Sequence, residues 1–320
     1  SVNTLNYLHH LRGSLKQEIL AEMNRPGEQN RLSDPQPCPK KLFVRLVAML
    51  NEQMLHSRGL SGDIESKTPT AICPANLENL RVILDGSNVV SHVGMKYDSI
   101  ALGNKTYRLG KISAVCTHQK YRSRGLALRL LEDCQNKMQR DKIDLSVLWT
   151  DLIGYYERLG WQYAGYEAEH HLKLEAASTI SASRYAIGPA PEDCSALHDI
   201  REKTPYLLIE RNPDETRVLI RRKGVSTITA YVGEDPIAYV VTRGSENDIE
   251  VLESAGPLDA LPTLIHALFE RERPRQIIMH TGRGDPRHEV LTRSDSAWTC
   301  ETKIGSSGMW WTVPKENKGQ

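Results

Sequence analysis

The residues with the clearest chemical potential are Arg122-Ser123-Arg124-Gly125-Leu126-Ala127. They follow a stretch ending in Val115-Cys116-Thr117. They lead into a segment with Leu126, Ala127, Leu130, Leu131, Cys134 and Met138 at helical spacing. The pattern is a strand running through a tight basic turn into a helix N-terminus. The first N–H groups of a helix have no internal partners, and the helix dipole adds positive potential there. Such a turn suits a pyrophosphate. Gly125 permits close backbone approach, Ala127 keeps the first helical turn open, and Arg122 and Arg124 add charge. A lone turn of this kind reads more simply as a strand–helix connection with solvated arginines. Its context shifts that balance, because a second motif follows at 155–161: Tyr155-Tyr156-Glu157-Arg158-Leu159-Gly160-Trp161.

Other side chains carry weaker signals. Asp151 precedes the Tyr155 segment, where it orients or deprotonates an amine or simply caps the helix. Tyr155 reads as the core residue of the pair and Tyr156 as the cleft residue. His92 and His118 read as structural or solvated. His170-His171 lacks an acidic cluster around it, so no metal site is expected. The backbone of Cys116 matters more than its thiol in this reading. The six cysteines are scattered without CxxC spacing, which favours neither zinc nor a disulfide framework.

The elements that must position these groups fall into three textures. Residues 1–72 read as a helical N-terminal extension, with one helix over 5–23 and another over 40–57. In the second helix Leu42, Leu46, Met49, Leu50 and Met54 share one face. Residues 73–178 alternate: strands near 80–84, 89–97 and 109–117, a long helix from Leu126, a strand at 145–150, a short helix, and a closing strand over 161–174. Residues 179–320 repeat the order strand, long helix, strand, short helix, strand. The expected fold class is α/β, with tandem lobes of twisted mixed sheets flanked by helices.

The bulk numbers exclude several classes. With 41 Lys plus Arg against 40 Asp plus Glu, no global field favours nucleic acid or an anionic membrane. No segment is long and apolar enough to span a bilayer, and residues 1–30 lack the apolar core of a signal peptide. A reducing cytoplasm is the expected location.

Arg122-Ser123-Arg124-Gly125-Leu126-Ala127 resembles the Q/R-x-x-G-x-G/A coenzyme A loop of the Gcn5-related N-acetyltransferase (GNAT) superfamily. The segment from Tyr155 to Trp161 is similar to that family's later F-Y-x-x-x-G-F segment. The paired lobes resemble enzymes of the enhanced-intracellular-survival (Eis) type, the second lobe being degenerate. The resemblance implies tandem GNAT-like lobes and acetyl transfer from acetyl-coenzyme A, the co-substrate, to a primary amine of a small molecule or peptide. It implies that Val115, Cys116 and Thr117 pair with the pantetheine, and that Arg122, Ser123, Arg124, Gly125, Leu126, Ala127 and Leu128 hold the pyrophosphate. Asp151 and Leu152 would line the thioester, and Tyr156 would protonate the departing thiolate. The chain departs from the pattern in having no Asp or Glu on the 111–117 strand to serve as base. The second lobe has Ser254-Ala255-Gly256-Pro257 where a phosphate loop would stand, so it is expected not to bind coenzyme A. Two rival readings stay open: a non-catalytic acyl-coenzyme A sensor or scaffold, and a nucleotide-binding protein. The second is weakened by the absence of GxxxxGK[ST].

Overall fold

The computed structural model describes residues 32–175, 184–207, 209–244, 247–293, 297–306 and 308–314. The helix expected over 5–23 and the linker expected over 176–183 lie outside them. Helix α1 (Phe43–Leu50) is entered through a 3₁₀ turn and continues into a π-helical turn, Asn51–Leu55. The wide turn changes which residues face inward. Asn51, Gln53 and Leu55 are buried, whereas Met54 is only partly so. The short strand β1 (Gln36–Pro37) precedes this helix, and the one-turn helix α2 (Ile64–Lys67) follows it. Asp63 caps α2 by accepting the Ser66 N–H at 2.7 Å.

Strands β2 (Leu80–Asp85), β3 (Asn88–Leu102) and β4 (Lys105–Thr117) form an antiparallel meander. Gly86, at φ 59°, turns the chain from β2 into β3. Helix α3 (Leu126–Arg140) buries Leu126, Leu130, Leu131, Cys134 and Met138 of the apolar stripe read from the sequence, while Ala127 of that stripe is only partly buried. Buried Arg81 of β2 reaches Asp133 of α3, Nε to Oδ2, at 2.5 Å. Then come β5 (Leu145–Leu148), α4 (Ile153–Glu157), β6 (Gln162–Tyr163) and β7 (Tyr166–Leu174).

The second half contains β8 (Ala186–Pro189), α5 (Ser195–Glu202), α6 (Pro213–Ile220), β9 (Ser226–Val232), β10 (Asp235–Gly244) and β11 (Asp248–Ala255). After these stand α7 (Leu261–Glu272), β12 (Gln276–Gly282), α8 (Arg287–Thr292), β13 (Trp298–Ser306) and β14 (Met309–Thr312). The strands make two seven-stranded sheets, ordered β1-β2-β3-β4-β5-β14-β6 and β13-β7-β12-β11-β10-β9-β8. Both are mixed and flanked by helices, as expected.

One expectation fails. A single strand over 161–174 was expected to close the first lobe. Gly165, at φ 110°, breaks it. Only β6 stays in the first sheet, while β7 inserts between β12 and β13 of the second. In return β14 inserts between β5 and β6.

The chain divides into two compact units. One comprises Gly110–Ile143 with the described residues before Asp98 and after Thr312. The other comprises Asp98–Leu109 and Asp144–Thr312. In the first, Leu42, Leu46, Leu50, Leu80, Val82 and Cys116 share a core, so α1 packs with β2 and β4. In the second, Leu172, Val240, Val251, Leu264, Leu268 and Met279 lie in the main core.

Candidate active site

The expected site residues fall in two groups, one in each unit. The first group is the turn between β4 and α3. Extended backbone ends at Thr117, and His118 N–H donates to the Val90 carbonyl at 2.9 Å. Residues Gln119–Tyr121 then make one 3₁₀ turn. The Tyr121 hydroxyl donates to Asp85 Oδ2 at 2.5 Å, and the Arg124 guanidinium lies 5.2 Å from the Tyr121 ring centre. Ser123 and Gly125 both adopt left-handed backbone, at φ 61° and 72°. Glycine takes that region readily and serine rarely, so the turn holds Ser123 in a less favoured conformation.

Gly125 is the N-cap of α3 and supplies no side-chain acceptor. The first N–H groups of α3 therefore lack a capping side chain, and residues 122–125 are exposed. A β-carbon built on Gly125 would meet nothing within 4 Å. The turn thus offers outward-facing donors, open space and the positive end of a helix. Leu126 is buried and anchors the helix start, Ala127 is partly buried, and Leu128 is exposed.

The strand leading in is irregular. Ala114 has φ 48°, a break in extended geometry three residues before the strand ends. Fully buried His92 on β3 binds the Ala114 carbonyl through Nδ1 at 2.8 Å. Its Nε2 has no partner among the described residues, and burial holds the ring down to about 4. His92 is a structural donor, as expected. Burial pushes the Cys116 thiol up to about 11, only partly offset by Arg122 and Arg58. The thiol therefore stays protonated, while Val115, Cys116 and Thr117 carry the backbone leading into the turn. The His118 ring accepts the Lys120 N–H at 3.3 Å, and burial with two cationic neighbours lowers its pKa.

The second group surrounds α4. Asp151 is exposed and does not cap this helix. Leu152 occupies the N-cap, and the Thr150 hydroxyl accepts the Leu152 N–H at 2.9 Å. The capping role weighed for Asp151 is therefore corrected. Leu152 itself is exposed. The expected burial of the tyrosine pair is reversed: Tyr156 is 6% exposed and Tyr155 only half-buried. The physical reason is Trp161, whose ring takes Tyr156 edge-on at 6.3 Å and itself lies 5.4 Å from Trp311. Strand exchange delivers Trp311 from the far end of the chain, beyond the reach of local sequence reasoning. The Tyr156 hydroxyl has no hydrogen-bond partner among the described residues. Burial, with Tyr155 beside it, pushes the phenol up to about 12.

The counterpart turn in the second half differs in kind. Gly256 has φ 112°, and a β-carbon there would sit 2.5 Å from the Ile237 carbonyl and 2.6 Å from the Ala238 β-carbon. That glycine permits backbone packing, whereas Gly125 faces open space. His170 is bound through Nε2 to Thr281 at 2.8 Å and through Nδ1 to Thr302 at 3.0 Å. His171 binds Glu169 at 2.5 Å. Among the described residues no three His, Cys, Asp or Glu side chains are grouped to hold a metal.

Residues 66–164 match the family model for the acetyltransferase (GNAT) domain. The chain carries a GNAT acetyltransferase domain. The match takes in the basic turn, Asp151 and both tyrosines, and it makes the protein an N-acetyltransferase by class. Solved structures agree on the fold well beyond the matched GNAT domain. A probable N-acyltransferase from Enterococcus faecalis superposes with a TM-score of 0.70 at 14% identity, over 89% of this chain and 73% of that one. A GCN5-related N-acetyltransferase from Anabaena variabilis gives 0.68 at 15% identity, over 89% and 73%. Eis1 from Mycobacterium abscessus gives 0.62 at 14% identity, over 88% and 74%. A search of curated protein sequences returns no significant match.

Proposed function

We propose that the protein transfers an acetyl group from acetyl-coenzyme A to a primary amine of a small molecule or peptide. The observation that carries this reading is the turn at Arg122–Ala127, with an uncapped helix start, two left-handed residues and open space over Gly125. Its backbone N–H groups bind the pyrophosphate, and Arg122 and Arg124 supply charge. The amine attacks the thioester carbonyl, forming the C–N bond as negative charge gathers on oxygen. Backbone N–H groups beyond the break at Ala114 stabilise that oxyanion. As the C–S bond breaks, Tyr156 passes its phenolic proton to the thiolate, and the proton shed by the attacking amine leaves to solvent water, which restores the phenol. Asp151, exposed and unengaged in capping, orients the incoming amine.

A second reading has one specific observation in its favour. Strand β4 carries no Asp or Glu to take the amine proton, as a non-catalytic acyl-coenzyme A sensor would not need one. One experiment separates the two. Purified protein is given acetyl-coenzyme A with a panel of polyamines, aminoglycosides and peptide amines, and free thiol is followed by a disulfide reagent. Amine-dependent thiol release is expected. Saturable coenzyme A binding without release across the panel would favour the sensor.

A further inference from the structure

The basic turn is held from below by a residue that no part of the coenzyme A pattern includes. Gln53 sits in the π-helical turn after α1 and is 5% exposed. Its side-chain oxygen accepts two bonds from the turn: the Gln119 backbone N–H at 3.0 Å and Arg122 Nη2 at 3.3 Å. Both partners are obligate donors, so only the amide oxygen can face them, which fixes the orientation of the amide. Arg122 is gripped a second time, through Nε to the Thr117 carbonyl at 3.2 Å. A guanidinium has five N–H donors. These two bonds use Nε and one hydrogen on Nη2, leaving three for an anion.

The π turn brings Gln53 to this place. Asn51 and Gln53, both polar, are buried together with Leu55 at the end of an otherwise apolar helix. Asn51 Oδ1 accepts the Ile64 N–H at 2.8 Å, which ties the turn to α2. Met49, near the end of α1, meets the Cys116 thiol at 3.7 Å, which ties the helix leading into the turn to β4. A π turn inserted in a helix is uncommon and recurs at functional sites. Here it directs a neutral acceptor at the one arginine that opens the basic turn.

We infer that Gln53 is a positioning residue for coenzyme A. It fixes the Arg122 guanidinium and the 119–122 turn in the geometry that meets the pyrophosphate, and it does so without neutralising the arginine. The inference rests on the acetyl-coenzyme A reading above. An arginine side chain free to sample its rotamers loses that freedom when it binds an anion, and Gln53 and Thr117 remove the freedom beforehand.

The test is a double-mutant cycle read by calorimetric titration of coenzyme A into the full chain. Gln53→Met keeps the volume and removes the acceptor, and affinity should fall about tenfold. Arg122→Ala should also weaken binding. In the Arg122→Ala background Gln53→Met should cost much less than it does alone, because its main route of action is gone. Wild-type affinity in Gln53→Met, or losses that simply multiply, would overturn the inference. Should Gln53→Met fail to fold, Gln53→Glu answers the same question. Its carboxylate keeps the acceptor but captures the Arg122 charge, so affinity should drop by a similar factor without loss of melting temperature. Unchanged affinity there overturns the inference equally. If wild-type protein takes up no coenzyme A, the parent reading fails first, and the two failures are distinguishable.

Discussion

Tyr156 shows how a residue's surroundings set its use. Its ring is packed against Trp161, yet its hydroxyl has no partner among the described residues, and its pKa is raised to about 12. The phenol is therefore fully protonated at neutral pH and available as a donor. Tyr156→Phe keeps the packing and deletes only that proton, so turnover should fall by about 10²–10⁴-fold with coenzyme A affinity nearly unchanged. Tyr155→Phe should cost far less. Steady-state kinetics on both variants check this, and a normal Tyr156→Phe enzyme would remove the residue from the mechanism. The tyrosine pair was legible in the sequence, but its burial was not. Adjacent helical residues point ~100° apart, and the ring that selects between them belongs to a distant strand. His92 makes a separate prediction. Its folded pKa, about 4, lies below the ordinary histidine value. The unfolded chain therefore takes up the proton first as pH falls. The stability that neutral His92 contributes is complete above ~6.5 and is lost progressively toward about 4, on the order of 3 kcal/mol in all. In His92→Gln, the drop in unfolding free energy between neutral and mildly acid pH should shrink. An identical pH profile would contradict this account of the ring.

At the scale of elements, periodicity identified α3 and its buried face because the residues of that face are apolar and recur at helical spacing within one segment. The π turn has no periodic signature, since Asn51 and Gln53 look like surface residues until the elements they bind are in place. Helix α6 lies outside the expected elements, although Asn212-Pro213 signals its start: Asn212 accepts the Glu215 N–H at 2.8 Å and Pro213 opens the helix. The exchanged strand β14 depends on one close approach. Gly308 has φ 101°, and a β-carbon there would lie 2.5 Å from the Leu148 carbonyl. Gly308→Ala must therefore push β14 away from β5 as well as adopt a disfavoured backbone. A loss of more than ~1 kcal/mol is expected in chemical denaturation. Wild-type stability in that variant would show that the strand has room the packing denies.

At the scale of the molecule, the α/β class and the paired lobes followed from the recurring order of strands and helices. The exchange of β7 for β14 did not, because strand pairing between remote segments leaves no periodic trace in either. The two lobes share an order of elements but differ at the decisive turn. Over Gly125 there is open space, whereas over Gly256 there is protein backbone, and Pro257 removes one N–H. One coenzyme A per chain is therefore expected, held at the first turn. Gly125→Val places a β-branched side chain in the space the pyrophosphate needs and on left-handed backbone it tolerates poorly. The deciding measurement is calorimetric titration of coenzyme A into wild-type protein and Gly125→Val, with circular dichroism confirming that both are folded. The account predicts one site per chain in the wild type and no measurable binding in the variant. Equal affinity in the two, or two sites in the wild type, would contradict it.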